Sequence, residues 1–185
     1  GKHHDTKVFM VGHSIGATIA TAYALFHKVK DELAGLILSA VSLKAGASLS
    51  PFHITVSQIL SFFLPKLGVA TLDASAISQD QAVVAAYVND PLVYRGKIRA
   101  RLGAELIKTM QRLQRQVSAL DLPILIMHGT ADRLSDPEGS QMLYEQATSR
   151  DKTLKFYAGF YHEIFNEPGR EQVFADMEAW LDTHL

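Results

Sequence analysis

The chain has 185 residues, 48% of them hydrophobic, and a formal net charge of −1. That is apolar material for one core, and the near-balanced charge argues against the basic patch that nucleic-acid binding requires. Cysteine is absent, so disulfides are excluded, and no apolar run reaches the roughly 18 residues of a transmembrane span.

Taken in chain order, the first element is a short buried strand, Lys7-Val8-Phe9-Met10-Val11. Gly12-His13-Ser14-Ile15-Gly16 follows and fits G-x-S-x-G. A helix is predicted from Ala17 to Val29, with Ile19, Ala20, Tyr23, Ala24 and Phe26 making an apolar face. Strand, sharp turn and helix together are the context of a nucleophile elbow. Such a turn presents Ser14 at the helix N-terminus, whose free N–H groups favour developing negative charge. Gly12 and Gly16 are expected to leave room for close backbone packing, and His13 to pack the elbow rather than serve as a second base. The plainer alternative is a glycine-serine turn before an ordinary helix.

A second buried strand is read at Leu36-Ile37-Leu38-Ser39-Ala40-Val41. Residues 44–118 then break the strand–helix rhythm and are read as a cap. Its most apolar segment runs from Ile54 to Leu67, where Ile59, Phe62, Phe63 and Leu67 follow helical spacing and Val56 extends the face. Pro65 is expected to end or kink that helix. Two readings of the face stand: a lid that receives an acyl chain and touches a lipid surface, or a helix packed on the core. A second cap element, Arg99 to Val117, carries Arg99, Arg101, Lys108, Arg112 and Arg115 as a solvated face.

The rhythm resumes over residues 119–185. Pro123-Ile124-Leu125-Ile126-Met127-His128 reads as a buried strand running into Gly129-Thr130-Ala131-Asp132-Arg133, which puts Asp132 in a loop at a strand's C-terminal end. Of the competing acids, Asp136 is expected to cap a helix starting at Pro137, and Asp121 lies at the wrong end of the strand. Thr153 to Tyr157 alternates like a strand, and His162 lies in the loop just past it. Ser14, Asp132 and His162 thus follow the order serine, acid, histidine, which suits a nucleophile, an orienting carboxylate and a base. His128 reads as a structural hydrogen-bonding residue, Glu163 as a surface neighbour of His162, and His3 and His4 as solvated. No spacing matches a zinc or phosphate site, so no metal or cofactor is expected. A last helix shows the face Val173, Phe174, Met177, Trp180 and Leu181.

The elbow Gly12-His13-Ser14-Ile15-Gly16, the run His128 to Arg133 and Tyr161-His162-Glu163 together resemble the monoacylglycerol lipases and lysophospholipases of the α/β-hydrolase superfamily, the bacterial ones in particular. Asn89-Asp90-Pro91-Leu92, Asp151 to Lys155 and Phe165-Asn166-Glu167-Pro168 carry the resemblance further, and it extends from about Val8 to Leu185. It implies an α/β fold: a half-sheet of parallel strands and helices from residues 1–43 and 119–185, with the elbow strand at one edge and residues 44–118 inserted as a helical cap. It implies hydrolysis of monoacylglycerol through an acyl-serine intermediate, with Ser14, Asp132 and His162 as the triad and the N–H of Ile15 as one oxyanion donor. It favours the lid reading, in which Ile59, Phe62 and Phe63 contact substrate.

Family members also carry about a hundred residues before the elbow, a length that suits one hydrolase domain. These supply the first strands and a His-Gly loop bearing the second oxyanion donor. The expected partners are therefore a lipid ester substrate, that N-terminal part of the fold bound at the elbow-strand edge or else a second copy, and a peripheral membrane surface. Without the second donor, turnover is expected to fall by about 10²–10³. Lysophospholipase, broad carboxylesterase and non-catalytic lipid-binding readings remain as alternatives. A cytoplasmic or membrane-peripheral location fits the resemblance.

Overall fold

The computed structural model describes residues 6–27, 32–44 and 60–185. Its first part comprises strand β1 (Phe9–His13), helix α1 (Ile15–Phe26) and strand β2 (Gly35–Ser39). A middle part follows with β3 (Gly68–Ala70), α2 (Gln81–Asn89), β4 (Ile98–Arg99) and α3 (Ala100–Gln116). The last part holds β5 (Ile124–Gly129), α4 (Pro137–Gln146), β6 (Lys152–Tyr157) and α5 (Glu171–Asp182).

Four strands form one sheet in the order β1-β2-β5-β6, and every pair is parallel. β2 and β5 are buried at every position, as their unbroken apolar sequences require in a sheet covered on both faces. Period-two alternation sends their side chains to opposite layers. Leu36, Leu38, Ile124 and Ile126 pack with Ala17 and Ala20 of α1, Leu113 of α3 and Leu143 of α4. Ile37, Leu125 and Met127 pack on the other face with Ile164 and with Val173 and Trp180 of α5. Each such fully buried aliphatic side chain contributes about 1.5–3 kcal/mol relative to exposure, so the two central strands anchor the sheet.

β1 occupies a sheet edge, the position expected of the elbow strand. Its neighbourhood is apolar and open: Val8 is 51% exposed and Val11 58%. Helix α1 departs from its predicted face. It buries Ala17, Thr18, Ala20 and Thr21, while Ile19, Tyr23 and Phe26 are exposed. Small side chains face the sheet because α1 starts directly at the elbow and lies close against β1. Phe26 instead receives the Arg112 guanidinium 3.8 Å from its ring centroid.

The middle part contains an antiparallel ribbon of β3 with β4 that the sequence pattern did not announce. α3 turns Ala100, Ala104, Ile107 and Leu113 inward and pairs Arg101 and Lys108 with Glu105 on its outer side. Asp136 caps α4 by accepting from the N–H of Glu138 at 2.9 Å, with Pro137 opening the helix. No helix among the described residues is long and apolar enough to cross a membrane.

Candidate active site

The site begins with a backbone constraint at the end of β1. Ser14 has φ 54° and ψ −121°, a left-sided conformation that costs a non-glycine residue on the order of 1–3 kcal/mol. Its backbone is bonded on both sides: the N–H of Ser14 donates to Ser39 O at 2.8 Å, and Ser14 O accepts from the N–H of Thr18 at 3.1 Å and from the Thr18 hydroxyl at 3.3 Å. The turn folds so tightly that a Cβ on Gly12 would lie 2.6 Å from Gly16 O and 2.7 Å from Ala17 Cα. Gly12→Ala therefore forces backbone apart and is expected to destabilise the protein by about 1–3 kcal/mol, read as a lower denaturant midpoint. An unchanged midpoint would mean that the elbow yields freely. Gly16 differs from expectation, since a Cβ there meets nothing within 4 Å.

The structure brings the three predicted side chains together. His162 Nε2 lies 2.8 Å from Ser14 Oγ, and His162 Nδ1 lies 2.7 Å from Asp132 Oδ2. A carboxylate only accepts, so His162 donates its Nδ1 proton to Asp132 and is left with Nε2 to accept from the Ser14 hydroxyl. Asp132 and His162 are buried, and Ser14 is half-buried at the surface where a reacting group can reach it. Gly129 makes the meeting possible. Any Cβ on it would collide with the carbonyl oxygens of Phe160 and Tyr161, so its absence lets the histidine loop cross the end of β5.

Around Asp132 stands a shell that the sequence reading did not assemble. Its Oδ1 accepts from the N–H groups of Leu134 at 2.8 Å and Ser135 at 3.1 Å. Its Oδ2 accepts from the Ser135 hydroxyl at 2.9 Å and from His128 Nε2 at 3.0 Å, besides His162. His128 is fully buried; because the carboxylate only accepts, His128 donates from Nε2 to Asp132, and its Nδ1 meets Ser140 Oγ at 2.6 Å. Burial opposes ionisation of Asp132, but the hydrogen bonds from His128 and His162 outweigh it and hold the carboxyl well below the usual carboxylate range. The four-residue spacing of His128 and Asp132 was visible in sequence; that both point at one buried spot was not.

The immediate chain neighbours of Ser14 and His162 also meet. His13 Nε2 lies 3.2 Å from Glu163 Oε1, and His13 Nδ1 lies 3.1 Å from Ser39 Oγ. The hydrogen bond with His13 holds the Glu163 carboxyl below its ordinary range against the opposing effect of burial. Glu163 is thus a partner in a bridge between the elbow and the histidine loop, not a free surface residue. The rings of His13 and His162 lie 4.9 Å apart.

Ile15 opens α1, so its N–H is one of the first-turn groups that a helix cannot satisfy internally. Its side chain lines a cavity of about 240 Å³ shared with Leu72, Ala74, Tyr87, Tyr94, Arg95, Gly96, Ile98, Leu102 and Leu106. Phe62 and Phe63 are not part of this lining; they are 77% and 73% exposed and stack edge-on against each other. Ile59 lies outside the described residues. The aromatic and aliphatic residues that do line the cavity come from four separate segments, at Ile15, 72–74, Tyr87 and 94–106, so no single periodic face marked them. Among the described residues, no cluster of three or more histidine and acidic side chains is placed to hold a metal.

Residues 1–169 match the family described as serine aminopeptidase, S33. The chain is 38% identical over 183 residues to the monoacylglycerol lipase of Mycolicibacterium smegmatis, covering 99% of this chain and 65% of that protein. It is 34% identical over 177 residues to human monoglyceride lipase, covering 94% of this chain and 58% of that protein. Its fold superposes on the crystal structure of Paleococcus ferrophilus monoacylglycerol lipase with a TM-score of 0.88 at 31% identity, covering 97% of this chain and 69% of that one. The chain therefore spans about 58–65% of the length of the first two relatives.

Proposed function

This chain belongs to the serine aminopeptidase S33 family, in the monoacylglycerol lipase group of the α/β-hydrolases, and on that premise we propose that it acts as a serine hydrolase of monoacylglycerols. The observation that carries the reading is the unbroken line from Asp132 through His162 to Ser14, with contacts of 2.7 Å and 2.8 Å. Ser14 Oγ attacks the ester carbonyl while His162 Nε2 takes its proton. Asp132 stabilises the imidazolium that forms, and the N–H of Ile15 donates to the oxyanion. Collapse of the tetrahedral adduct sends the proton from His162 to the departing glycerol oxygen and leaves an acyl-serine. Water then repeats the sequence, with His162 as its base, and releases the fatty acid.

Similarity to monoacylglycerol and monoglyceride lipases and the largely apolar cavity beside Ile15 support monoacylglycerol as the substrate. Phe62, Phe63 and Leu64 are exposed side by side, which supports contact with a lipid surface rather than a place in that cavity. The open apolar edge of β1 supports pairing with a further strand of the same fold.

The test is a fluorophosphonate probe followed by a substrate panel of monoacylglycerol, lysophospholipid, p-nitrophenyl esters and an aminoacyl anilide. One adduct mapped to Ser14, with monoacylglycerol turned over fastest, is the expected result. A preference for lysophospholipid or the anilide would move the substrate class. An adduct on another residue, or no hydrolysis of any member, would remove the reading.

A further inference from the structure

We propose that Glu167 is a positioning residue through which the cap holds the catalytic histidine loop in register with Ser14; the inference rests on the serine-hydrolase reading above. Glu167 is only 2% exposed, although it is a carboxylate. Such a group stays buried only when donors surround it. Its donors come from two distant parts of the chain. Glu167 Oε1 accepts from the backbone N–H of Gln79 at 2.7 Å, and Oε2 accepts from Gln79 Nε2 at 2.8 Å and from the N–H of Tyr161 at 3.3 Å.

Both parts matter to the site. Tyr161 immediately precedes His162. Gln79 lies between Ala74 and Tyr87, which line the cavity, and next to Asp80, which caps α2 through the N–H of Ala82. Further bonds run along the same seam. The N–H of Glu163 donates to Ile77 O at 2.7 Å, and Gln79 Nε2 also donates to Gly159 O at 2.8 Å. The cap segment 77–79 is therefore laid against the loop 159–167, and Glu167 sits where the two are tied. Glu167 neither lines the cavity nor contacts the triad, so it acts through the placement of His162.

Glu167→Gln tests the charge at constant size. An amide keeps one acceptor oxygen but turns an N–H₂ toward donors that the carboxylate satisfied, so the seam loses a bond and gains a donor–donor contact. Misplacing a catalytic group by about 1 Å can cost about 100-fold. E167Q is expected to lower kcat and the rate of fluorophosphonate labelling of Ser14 together, by about 10- to 100-fold, with KM for a small soluble ester unchanged. Gln79→Ala, made in the cap, is expected to lower the same two rates in the same direction.

Amide exchange supplies a readout independent of activity: segments 77–81 and 159–167 are expected to lose protection together in E167Q. Wild-type kcat and labelling rate in E167Q, or loss of protection confined to 159–167, would overturn the proposal. If E167Q does not fold, an unchanged labelling rate in Q79A overturns it instead. If Ser14 is unlabelled even in the wild-type protein, the serine-hydrolase reading fails, while joint or separate loss of protection still decides whether Glu167 ties the two segments.

Discussion

Ser14→Ala is expected to remove ester turnover by a factor on the order of 10⁶ while leaving the protein folded. The size follows from the chemistry lost. Without Oγ the proposed acyl-enzyme cannot form, and His162 Nε2 faces a methyl group where it now meets a hydroxyl at 2.8 Å. What survives is the electrostatic environment of the α1 N-terminus, which alone sustains only a small residual rate. Stability should change little, because Ser14 is half-buried and, among the described residues, its side chain bonds only His162. The backbone strain at φ 54° persists in the variant, so it cannot restore or remove stability by relaxing. The measurement pairs kcat/KM on a soluble ester with a denaturant midpoint. Turnover persisting at more than about a thousandth of the wild-type rate would point to another nucleophile or to water activated directly by a base, and the assignment of Ser14 would fall. His13, adjacent in sequence and 4.9 Å from His162 ring to ring, would then be the first group to examine.

The sheet was legible because its central strands are unbroken apolar runs, and the same physics that buries Leu36 to Leu38 and Ile124 to Met127 writes them plainly in the sequence. The site was legible for a different reason. Ser14, Asp132 and His162 each sit just past a strand end, so residue type and position carry separate information. What escaped the reading shares one property: it depends on approach distances that the sequence does not print. Ile19, Tyr23 and Phe26 have the helical spacing of a buried face, yet α1 buries alanine and threonine because the tight elbow leaves no room for more. The β3–β4 ribbon is too short for any alternation to show. Glu167 and Gln79 are separated by 88 residues, and nothing local in either stretch signals the other. His128 reads from sequence as a hydrogen-bonding residue; its target, the same Asp132 Oδ2 that His162 meets, emerges only when the turn after β5 is folded.

Asp132→Asn is expected to cost about 10⁴ in kcat, because no orientation of the amide satisfies the site. With its oxygen at the Oδ2 position, asparagine can still accept from His162, His128 and Ser135, but its N–H₂ then opposes the N–H groups of Leu134 and Ser135 that now bond Oδ1. Turned over, it presents the N–H₂ to His162 and His128, and His162 must place its proton on Nε2, where it can no longer accept from Ser14. Either state leaves buried donors unpaired, so stability should fall as well as rate.

The pH dependence of that loss separates charge from shape. The folded pKa of Asp132 is depressed from its ordinary 3.8, so the carboxylate contributes stability that is fully present above 3.8 and is lost as pH falls through the folded value. The stability gap between wild type and D132N should therefore hold constant from neutral pH down to about 3.8 and narrow as pH falls from there toward the depressed folded value. A gap that stayed constant through the acid range would mean that Asp132 is held for its shape. The ionised carboxylate, and with it the stabilised imidazolium of the proposed mechanism, would then lose its structural basis.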